Sequence, residues 1–219
     1  MGIPSREALR RAVEEALSME APECESLDER MGGQEKSIRP EEKPEHMTHL
    51  RGDHLVFKDH PRIAFRGAID SLESDLILVQ ILAQKKGMER LTEDLEEIIR
   101  AIRWLLRCEV SGEPVGELTL LGLTTDELRA HSHHPSQYYG MHHFLPDYRK
   151  GEIPAYLNRL RTRARELELI GYRAFKKEDG SVGREDILRI LNRLSSLFWI
   201  MMFQYLTGKY EEEEGRGET

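Results

Sequence analysis

Four long segments that carry apolar residues at helical spacing constrain the fold of this chain most strongly. The first, which opens at Pro61, is apolar on nearly every side, and this is typical of a helix in the middle of a core. No strand-like alternation of useful length competes with these segments. The sequence therefore predicts an all-α fold, an up-and-down helical bundle of about five helices. The four long helices are predicted over residues 61–84, 92–112, 154–178 and 184–207.

Shorter features divide the chain into three predicted regions. Ser5 can cap a short first helix, after which a stretch rich in Glu, Pro and Gly has little to bury and predicts a mobile arm. Thr125 can cap a brief helix through His131, and a histidine-rich loop follows it. Four consecutive glutamates close to the carboxyl terminus predict a disordered acidic tail. The regions are 1–47 for the short helix and arm, 48–209 for the helical bundle, and 210–219 for the tail.

The overall charge and composition exclude several classes of protein. Among 219 residues, 40 acidic and 32 basic side chains give a net charge of -8, which disfavours a general nucleic-acid binder. No run approaches the roughly 20 apolar residues of a membrane span, and the amino terminus lacks the pattern of an export signal. The two cysteines, Cys24 and Cys108, are too few and too far apart for a disulfide scaffold. We therefore expect a cytoplasmic protein.

Polar residues on predicted core faces single out a candidate site. Asp70 shares a face of the first long helix with apolar residues, and an isolated inward carboxylate would be costly without a partner. On the third long helix Arg161, Arg165 and Glu168 form one stripe, from which Arg165 is the preferred partner of Asp70. The alternative is that this stripe is a solvated face held by ion pairs along the helix, each worth a few tenths of a kcal/mol.

Asn192 lies among apolar residues of the fourth long helix, where an amide either fixes the helix register or binds something. Together with Asp70, Arg165 and Glu168, it would form a polar pocket lined by three helices. Such a pocket would suit an anionic ligand accompanied by a metal ion. No reaction follows from these residues alone.

The segment 48–58 combines a glycine-bearing turn with basic residues, a pattern that can hold phosphates through backbone N–H groups and charge. An ordinary surface loop is the alternative. Five histidines between 131 and 143 suggest a metal site. Their spacing matches no closed zinc pattern, so we expect most of them to be structural or exposed. The candidate phosphate-binding residues are Thr48, Arg51, Gly52, Asp53 and Lys58.

Four ordered motifs between Thr48 and Gln204 resemble those of a known family. The similarity is to the ATP:corrinoid adenosyltransferases, and to their EutT-like branch more than to the PduO-type. The resemblance implies a ferritin-like helical bundle of the cobalamin adenosyltransferase type. It also implies transfer of the 5′-deoxyadenosyl group of ATP to cob(I)alamin, which forms adenosylcobalamin and triphosphate. The motifs are KDHPRIAFRGAIDSL, GEPVGELTLLGLTTDELRAHSHHP, LRTRARELE and ILNRLSSLFWIMM.

The resemblance assigns roles to the polar residues already singled out. Asp70, Arg165 and Asn192 match catalytic positions, and Glu168 matches a glutamate near the triphosphate and Mg²⁺. The substrates and cofactors that it implies are ATP, Mg²⁺ and cobalamin, and the lower corrin face needs a water-excluding cover. The implied ATP-binding residues are Thr48, Arg51, Gly52, Asp53, Lys58, Arg161, Arg165, Glu168 and Asn192. The candidate corrinoid-binding residues are Tyr138, His143, Phe144 and Trp199, with Tyr139 as a further candidate.

Three departures from the family pattern keep other interpretations open. The loop 48–58 is shorter than in the PduO-type, and Leu169 replaces an arginine that would contact phosphate. Residues 31–36 lack the cysteines of the metal-binding cluster, which argues against a bound transition metal. The first two departures favour, as an alternative, a non-catalytic corrinoid carrier, and a structural bundle protein is the second alternative.

The resemblance also implies partners. It predicts a homo-oligomer, a trimer or a dimer, with sites between subunits. A reductase and an adenosylcobalamin-dependent enzyme are the implied protein partners, and we expect neither nucleic-acid nor membrane binding. A bacterial microcompartment is the alternative setting to the open cytoplasm.

Overall fold

The computed structural model describes residues 43–211, so the predicted Ser5 helix, the arm with Cys24 and residues 212–219 lie outside the described range. The predicted all-α bundle is confirmed, and no helix in the described range is long and apolar enough to cross a membrane. The elements are β1 (Met47–Arg51), β2 (His54–Phe57), α1 (Pro61–Lys85), α2 (Glu89–Ser111), α3 (Thr125–His133), α4 (Pro135–Tyr139), a 3₁₀ helix (Tyr148–Lys150), α5 (Glu152–Phe175) and α6 (Glu185–Leu206).

The long helices α1 and α5 run antiparallel. The ring of Phe65, near the start of α1, meets that of Phe175, at the end of α5, edge to face with centroids 5.0 Å apart. At the other end Lys86 pairs with Glu152, with 3.1 Å between Nζ and Oε2. Helix α1 also packs against α2, α5 packs against α6, and α3 lies on α6. Apolar side chains from all four long helices are fully buried between them and form one core.

Gly171 sets the close approach of α1, α5 and α6. A Cβ built on this buried residue would lie 3.1 Å from side-chain carbons of Phe65 on α1 and of Leu191 on α6. Such distances are tighter than ordinary van der Waals contact. A residue without a side chain is therefore what lets the three helices meet at this level.

The helix ends differ from the sequence predictions by a few residues. Pro61 opens α1 as predicted, and its N-cap His60 accepts a hydrogen bond from the Arg62 N–H at Nδ1, at 3.1 Å. Helix α2 begins at Glu89 rather than Thr92, because the Thr92 hydroxyl donates back to the Met88 carbonyl inside the first turn. Helix α5 likewise begins at Glu152, two residues before the proline that the sequence suggests as its opening.

A two-stranded antiparallel hairpin, β1 with β2, was missed by the sequence prediction, as were the short α4 and the 3₁₀ helix. The register of the hairpin slips between His49 and Arg51, so the buried Met47 and Leu50 lie three residues apart and the alternation of a regular strand is lost. The Arg51 guanidinium donates to the Ser111 carbonyl, with 2.5 Å from Nη2 to O. The hairpin therefore lies where α2 ends and α1 begins, and we call this the hairpin end of the bundle.

Candidate functional site

A cleft of about 470 Å³ opens between the middle parts of α5 and α6 and is closed on one side by the loop after α4. The histidine-rich segment that follows α3 supplies this wall, because Gly140 ends α4 in the left-handed conformation, with φ of 66°, and turns the chain back towards α6. The lining residues are Ser132, His133, His143, Phe144, Leu145, Pro146, Arg161, Arg165, Ser195, Ser196 and Trp199.

One wall of the cleft is aromatic. The rings of Phe144 and Trp199 stack with centroids 4.9 Å apart and planes 30° apart. His143 stacks on the same indole at 6.1 Å, so two of the candidate corrinoid-binding residues, Phe144 and His143, lie against Trp199. The fully buried Phe203 supports this wall from behind, edge to face with Phe144 and with Trp199 at 5.2 Å each. The result is an apolar aromatic cluster on one side of the cleft, of the kind that packs against another ring system.

The facing wall is positively charged. The Arg161 guanidinium lies 5.6 Å from the Trp199 ring centroid, and its Nε donates to Asn158 Oδ1 at 3.0 Å. Burial, and then the charge of the neighbouring Arg165, lowers the pKa of Arg161 from its usual value. Arg165 is exposed and makes no hydrogen bond or ion pair to any residue of the described range. Two guanidinium groups of like charge beside an aromatic wall favour an anionic group in the cleft.

A hydrogen bond ties α5 to α6 beside the cleft. The Nδ2 of half-buried Asn192 donates to Oε1 of Glu168 at 2.8 Å. The guanidinium of Arg193 in turn donates to Oδ1 of Asn192, which fixes the orientation of the amide. The predicted juxtaposition of Glu168 and Asn192 is therefore found, one helical turn from Arg165 on α5 and from Ser195 on α6.

Asp70 does not take its predicted place. The carboxylate is exposed on the outer face of α1, and no side-chain bond links it to Arg165. The prediction that it points inward is wrong for the single chain. The cause is that the opposite face of α1, with Phe65 and Ile69, is the one buried against α2 and α5. The outer face that carries Asp70 is unusual, since it includes Leu78, which is 63 % exposed.

The predicted ATP loop forms the hairpin and the turn after it, away from the cleft. Arg51 is held at the end of α2, and Lys58 is exposed with Glu45 as an ion-pair partner at 3.9 Å. None of the predicted loop residues shares a hydrogen bond or ion pair with a residue that lines the cleft, within residues 43–211. The five residues are Thr48, Arg51, Gly52, Asp53 and Lys58.

Some aromatic and histidine residues near the cleft do not line it. Tyr138 does not line the cleft and instead stacks on His131, with centroids 3.7 Å apart. His133, His134, His142 and His143 are exposed, and His131 is half-buried. Over residues 43–211 no group of three or more His, Cys, Asp or Glu side chains could hold a metal ion.

Several cleft residues were not singled out from the sequence. Ser132, Leu145, Pro146 and Ser196 line the cleft, and Phe203 backs it. Phe203 had a sequence signal, because it follows Trp199 by four residues and so shares its helical face. Ser196 on α6 had a similar signal, since it precedes Trp199 by three residues, whereas Leu145 and Pro146 carry none because they reach the cleft through the course of a loop.

Comparison with known proteins gives the family. The family model described as cobalamin adenosyltransferase matches residues 38–205 of this chain. The chain belongs to that family. The matched range spans the hairpin and all four long helices, so it includes the cleft and the predicted site residues.

The similar curated proteins in this family are EutT enzymes. The chain is 34% identical over 165 residues to "Corrinoid adenosyltransferase EutT" of Escherichia coli (strain K12), and 36% identical over 160 residues to the protein of that name from Salmonella typhimurium. These alignments cover 75% and 73% of this chain but only 60% and 58% of the relatives, so the chain spans about three fifths of their length. No solved structure matches the chain significantly. The EutT-like resemblance seen in the sequence is confirmed.

Proposed function

We propose that this member of the cobalamin adenosyltransferase family transfers the 5′-deoxyadenosyl group of ATP to cob(I)alamin. The observation that carries the proposal is the cleft, in which the stacked Phe144 and Trp199 face Arg161 and Arg165. A planar corrin needs an apolar cover, and a triphosphate needs cations, and the cleft offers both within one volume of about 470 Å³. Family membership and the similarity to the EutT relatives support this reaction class.

The reaction forms one bond and breaks one. Cobalt in the +1 state supplies the electron pair that forms the Co–C bond at C5′ of ATP. The C5′–O bond breaks, and triphosphate leaves with the electron pair of that bond. The reaction is a nucleophilic displacement, so the protein's task is to orient the two reactants and hold the charge of the leaving group.

The aromatic wall has the first role. Phe144 and Trp199 would cover the lower corrin face and keep water from the axial position of cobalt. A cobalt that loses its lower axial ligand becomes four-coordinate, which favours its reduction to the +1 state. The cover therefore acts on the reduction step before the transfer itself.

The polar residues have the second role. Arg161 and Arg165 would hold the negative charge that grows on the triphosphate as the C5′–O bond breaks. Asn192 orients the Glu168 carboxylate through one oxygen at 2.8 Å, which leaves the other oxygen for a ligand. Mg²⁺ binds few protein carboxylates and many phosphate and water oxygens, so a single glutamate fits an ion that arrives with ATP. Mg²⁺ would neutralise part of the triphosphate charge.

The complete site would lie between two copies of the chain. Arg165 and Asp70 are both exposed and unpaired within residues 43–211, and no hydrogen bond or ion pair joins them there. The basic hairpin residues Arg51 and Lys58 also lie away from the cleft. A second copy whose α1 face meets α5 would pair Asp70 with Arg165. It would also cover the exposed Leu78.

Charge reversal tests this arrangement between copies. Asp70→Arg and Arg165→Asp should each weaken self-association, and the doubly substituted chain should regain it, because the pair is restored with its charges exchanged. Analytical ultracentrifugation of the full chain measures the assembly. Failure of the double variant to recover while each single variant remains folded would contradict the proposed pairing.

An anaerobic transfer assay tests the activity itself. The full chain is mixed with cob(II)alamin, MgATP and a chemical reductant that is too weak to reduce free cob(II)alamin, and the formation of adenosylcobalamin is followed by absorption spectroscopy. Wild-type protein should form adenosylcobalamin only when ATP is present, and Trp199→Ala should lose most of this activity. Trp104→Phe, which changes the other tryptophan, on α2, should keep it.

The same assay separates the two alternatives. Tight corrinoid binding without product would identify a carrier, which the exposed Leu169 in place of an arginine favours. No binding at all would leave the structural bundle. The reductase, the adenosylcobalamin-dependent partner enzyme and a location in the cytoplasm or a microcompartment are proposals that follow from the same family membership.

A further inference from the structure

A hydrogen bond behind the aromatic wall links two short helices that the proposed mechanism does not use. The hydroxyl of Tyr139, the last residue of α4, lies 2.8 Å from Nδ1 of His131 on α3. Both side chains are partly buried, and Tyr138 stacks on the same imidazole at 3.7 Å. The bond therefore closes the turn between α3 and α4, immediately before the chain enters the loop that carries His143 and Phe144.

The direction of this hydrogen bond follows from the protonation of its two partners. Burial, and then the neighbouring Tyr138, raises the pKa of Tyr139 to about 12, so the phenol keeps its proton. Burial lowers the pKa of His131, and the charge of Glu127 opposes this only in part, so the imidazole is neutral near pH 7. The Tyr139 O–H therefore donates to Nδ1, and the imidazole proton lies on Nε2.

The Tyr139 ring continues into the wall of the cleft. It stacks on Phe203 with centroids 5.8 Å apart and planes only 6° apart. Phe203 then meets both Phe144 and Trp199 edge to face at 5.2 Å. A tilt of the Tyr139 ring would therefore be passed through one fully buried ring to the two that face the cleft, because closely packed rings have no free volume to absorb it.

We propose that Tyr139 and His131 form a positioning pair that sets the geometry of the Phe144–Trp199 cover. This inference rests on the proposed function, and it assigns to that site two residues that do not line the cleft. The hydrogen bond fixes the Tyr139 ring, which packs on Phe203. Phe203 in turn holds Phe144 and Trp199 in position at the cleft. Loss of the bond removes no cleft-lining side chain but loosens the cover.

Four variants separate the effect of losing the hydrogen bond from the effect of changing side-chain volume. Tyr139→Phe removes only the hydroxyl, and His131→Leu removes the acceptor. His131→Asn keeps an acceptor, because its amide oxygen takes about the place of Nδ1. Tyr156→Phe on α5 is the matched control, since it deletes a hydroxyl that makes no hydrogen bond within the described range.

The main readout is the spectrum of cob(II)alamin bound in the presence of MgATP, which reports the fraction of cobalt in the four-coordinate state. Tyr139→Phe and His131→Leu should lower the ratio of four- to five-coordinate cobalt about fivefold, the equilibrium effect of one typical hydrogen bond. His131→Asn should recover most of the loss, and Tyr156→Phe should match the wild type. The KM for ATP should not change, because the pair lies away from the basic wall of the cleft.

A second readout needs no corrinoid. In a Trp104→Phe background the remaining tryptophan is Trp199, and acrylamide quenching of its fluorescence should rise in Tyr139→Phe and not in Tyr156→Phe. Unchanged quenching together with a wild-type cobalt spectrum in Tyr139→Phe would overturn this inference alone. Absence of the four-coordinate signal in the wild type would instead overturn the proposed function.

Discussion

Asn192 on α6 donates a hydrogen bond of 2.8 Å to Glu168 on α5, and this bond joins the two helices that border the cleft. The amide cannot turn over freely, because Arg193 donates to its oxygen. The nitrogen of Asn192 is therefore held towards the carboxylate. An orienting role of this kind should show in turnover more than in stability.

Asn192→Ala tests that role. Removal of the amide frees the Glu168 carboxylate, and we expect kcat to fall by about tenfold or more, as for loss of a group that orients a reacting site. The loss of one net hydrogen bond, about 1 kcal/mol, should lower Tm by only about 2–4 °C in a chain of this size. Differential scanning calorimetry and the adenosylation assay measure the two effects. A large fall in Tm with unchanged specific activity would show a purely structural role.

Arg165→Ala should separate function from stability more sharply. Because Arg165 is exposed and has no ion-pair or hydrogen-bond partner among the residues that the structure describes, its loss should change the free energy of unfolding by no more than about 0.5 kcal/mol. Under the proposed function Arg165 would hold the charge of the leaving triphosphate, so its loss should lower kcat by about a hundredfold. The matched control is Arg173→Ala on the same helix, which should leave both quantities near wild type. Equal effects of the two substitutions on kcat would contradict the assignment.

Glu109→Gln tests a buried ionic cluster at the hairpin end. The fully buried carboxylate accepts from Arg62 Nε at 2.5 Å and from Arg66 Nε at 2.7 Å. Without its charge two partly buried guanidinium groups lose their counter-ion, so the free energy of unfolding should fall by about 3 kcal/mol. Urea denaturation followed by circular dichroism measures the change.

The control for this cluster is a more exposed glutamate in the same region. Glu113 is about half exposed and lies 3.7 Å from Arg107, so Glu113→Gln should cost less than about 0.5 kcal/mol. If the two substitutions were equally mild, Glu109 would not be the counter-ion that its burial indicates.

Asp186 at the start of α6 predicts a stability loss in acid. Burial acts to raise the pKa of this carboxyl. Hydrogen bonds from Arg184, at 2.9 Å, and from the Val115 N–H, at 3.0 Å, outweigh burial and lower the pKa from 3.8 to about 2. Because the folded-state pKa is the lower one, the stabilisation is complete above about pH 4 and is lost as the pH falls through about 2.

Melting curves between pH 5 and pH 2, at intervals of about half a unit, check this expectation. Wild-type Tm should fall more steeply below about pH 4 than that of Asp186→Asn, because the amide has no proton to gain in that range. Parallel curves for the two proteins would exclude Asp186 as a source of the acid sensitivity.

The sequence was sufficient for the parts of this protein that depend on local pattern. Helical spacing of apolar residues predicted the four long helices, because each must bury one face whatever its neighbours are. Gly112 ends α2 in the left-handed conformation, with φ of 80°, where the sequence suggested a stop. The meeting of Glu168 with Asn192 was also foreseen, since both lie on polar stripes of helices that had to pack together.

Tertiary structure alone decided which face of α1 is buried, and this moved Asp70 from the core to the surface. Helical periodicity places residues on one face but does not say which face meets a neighbour when, as in α1, several faces are apolar. The hairpin depends on an irregular register, which lacks the alternation that predicts a strand. In the aromatic wall Phe144 stacks on Trp199, although the two residues are 55 positions apart in the sequence. Contacts of that kind arise from the path of the loop after α4, for which no local spacing rule exists.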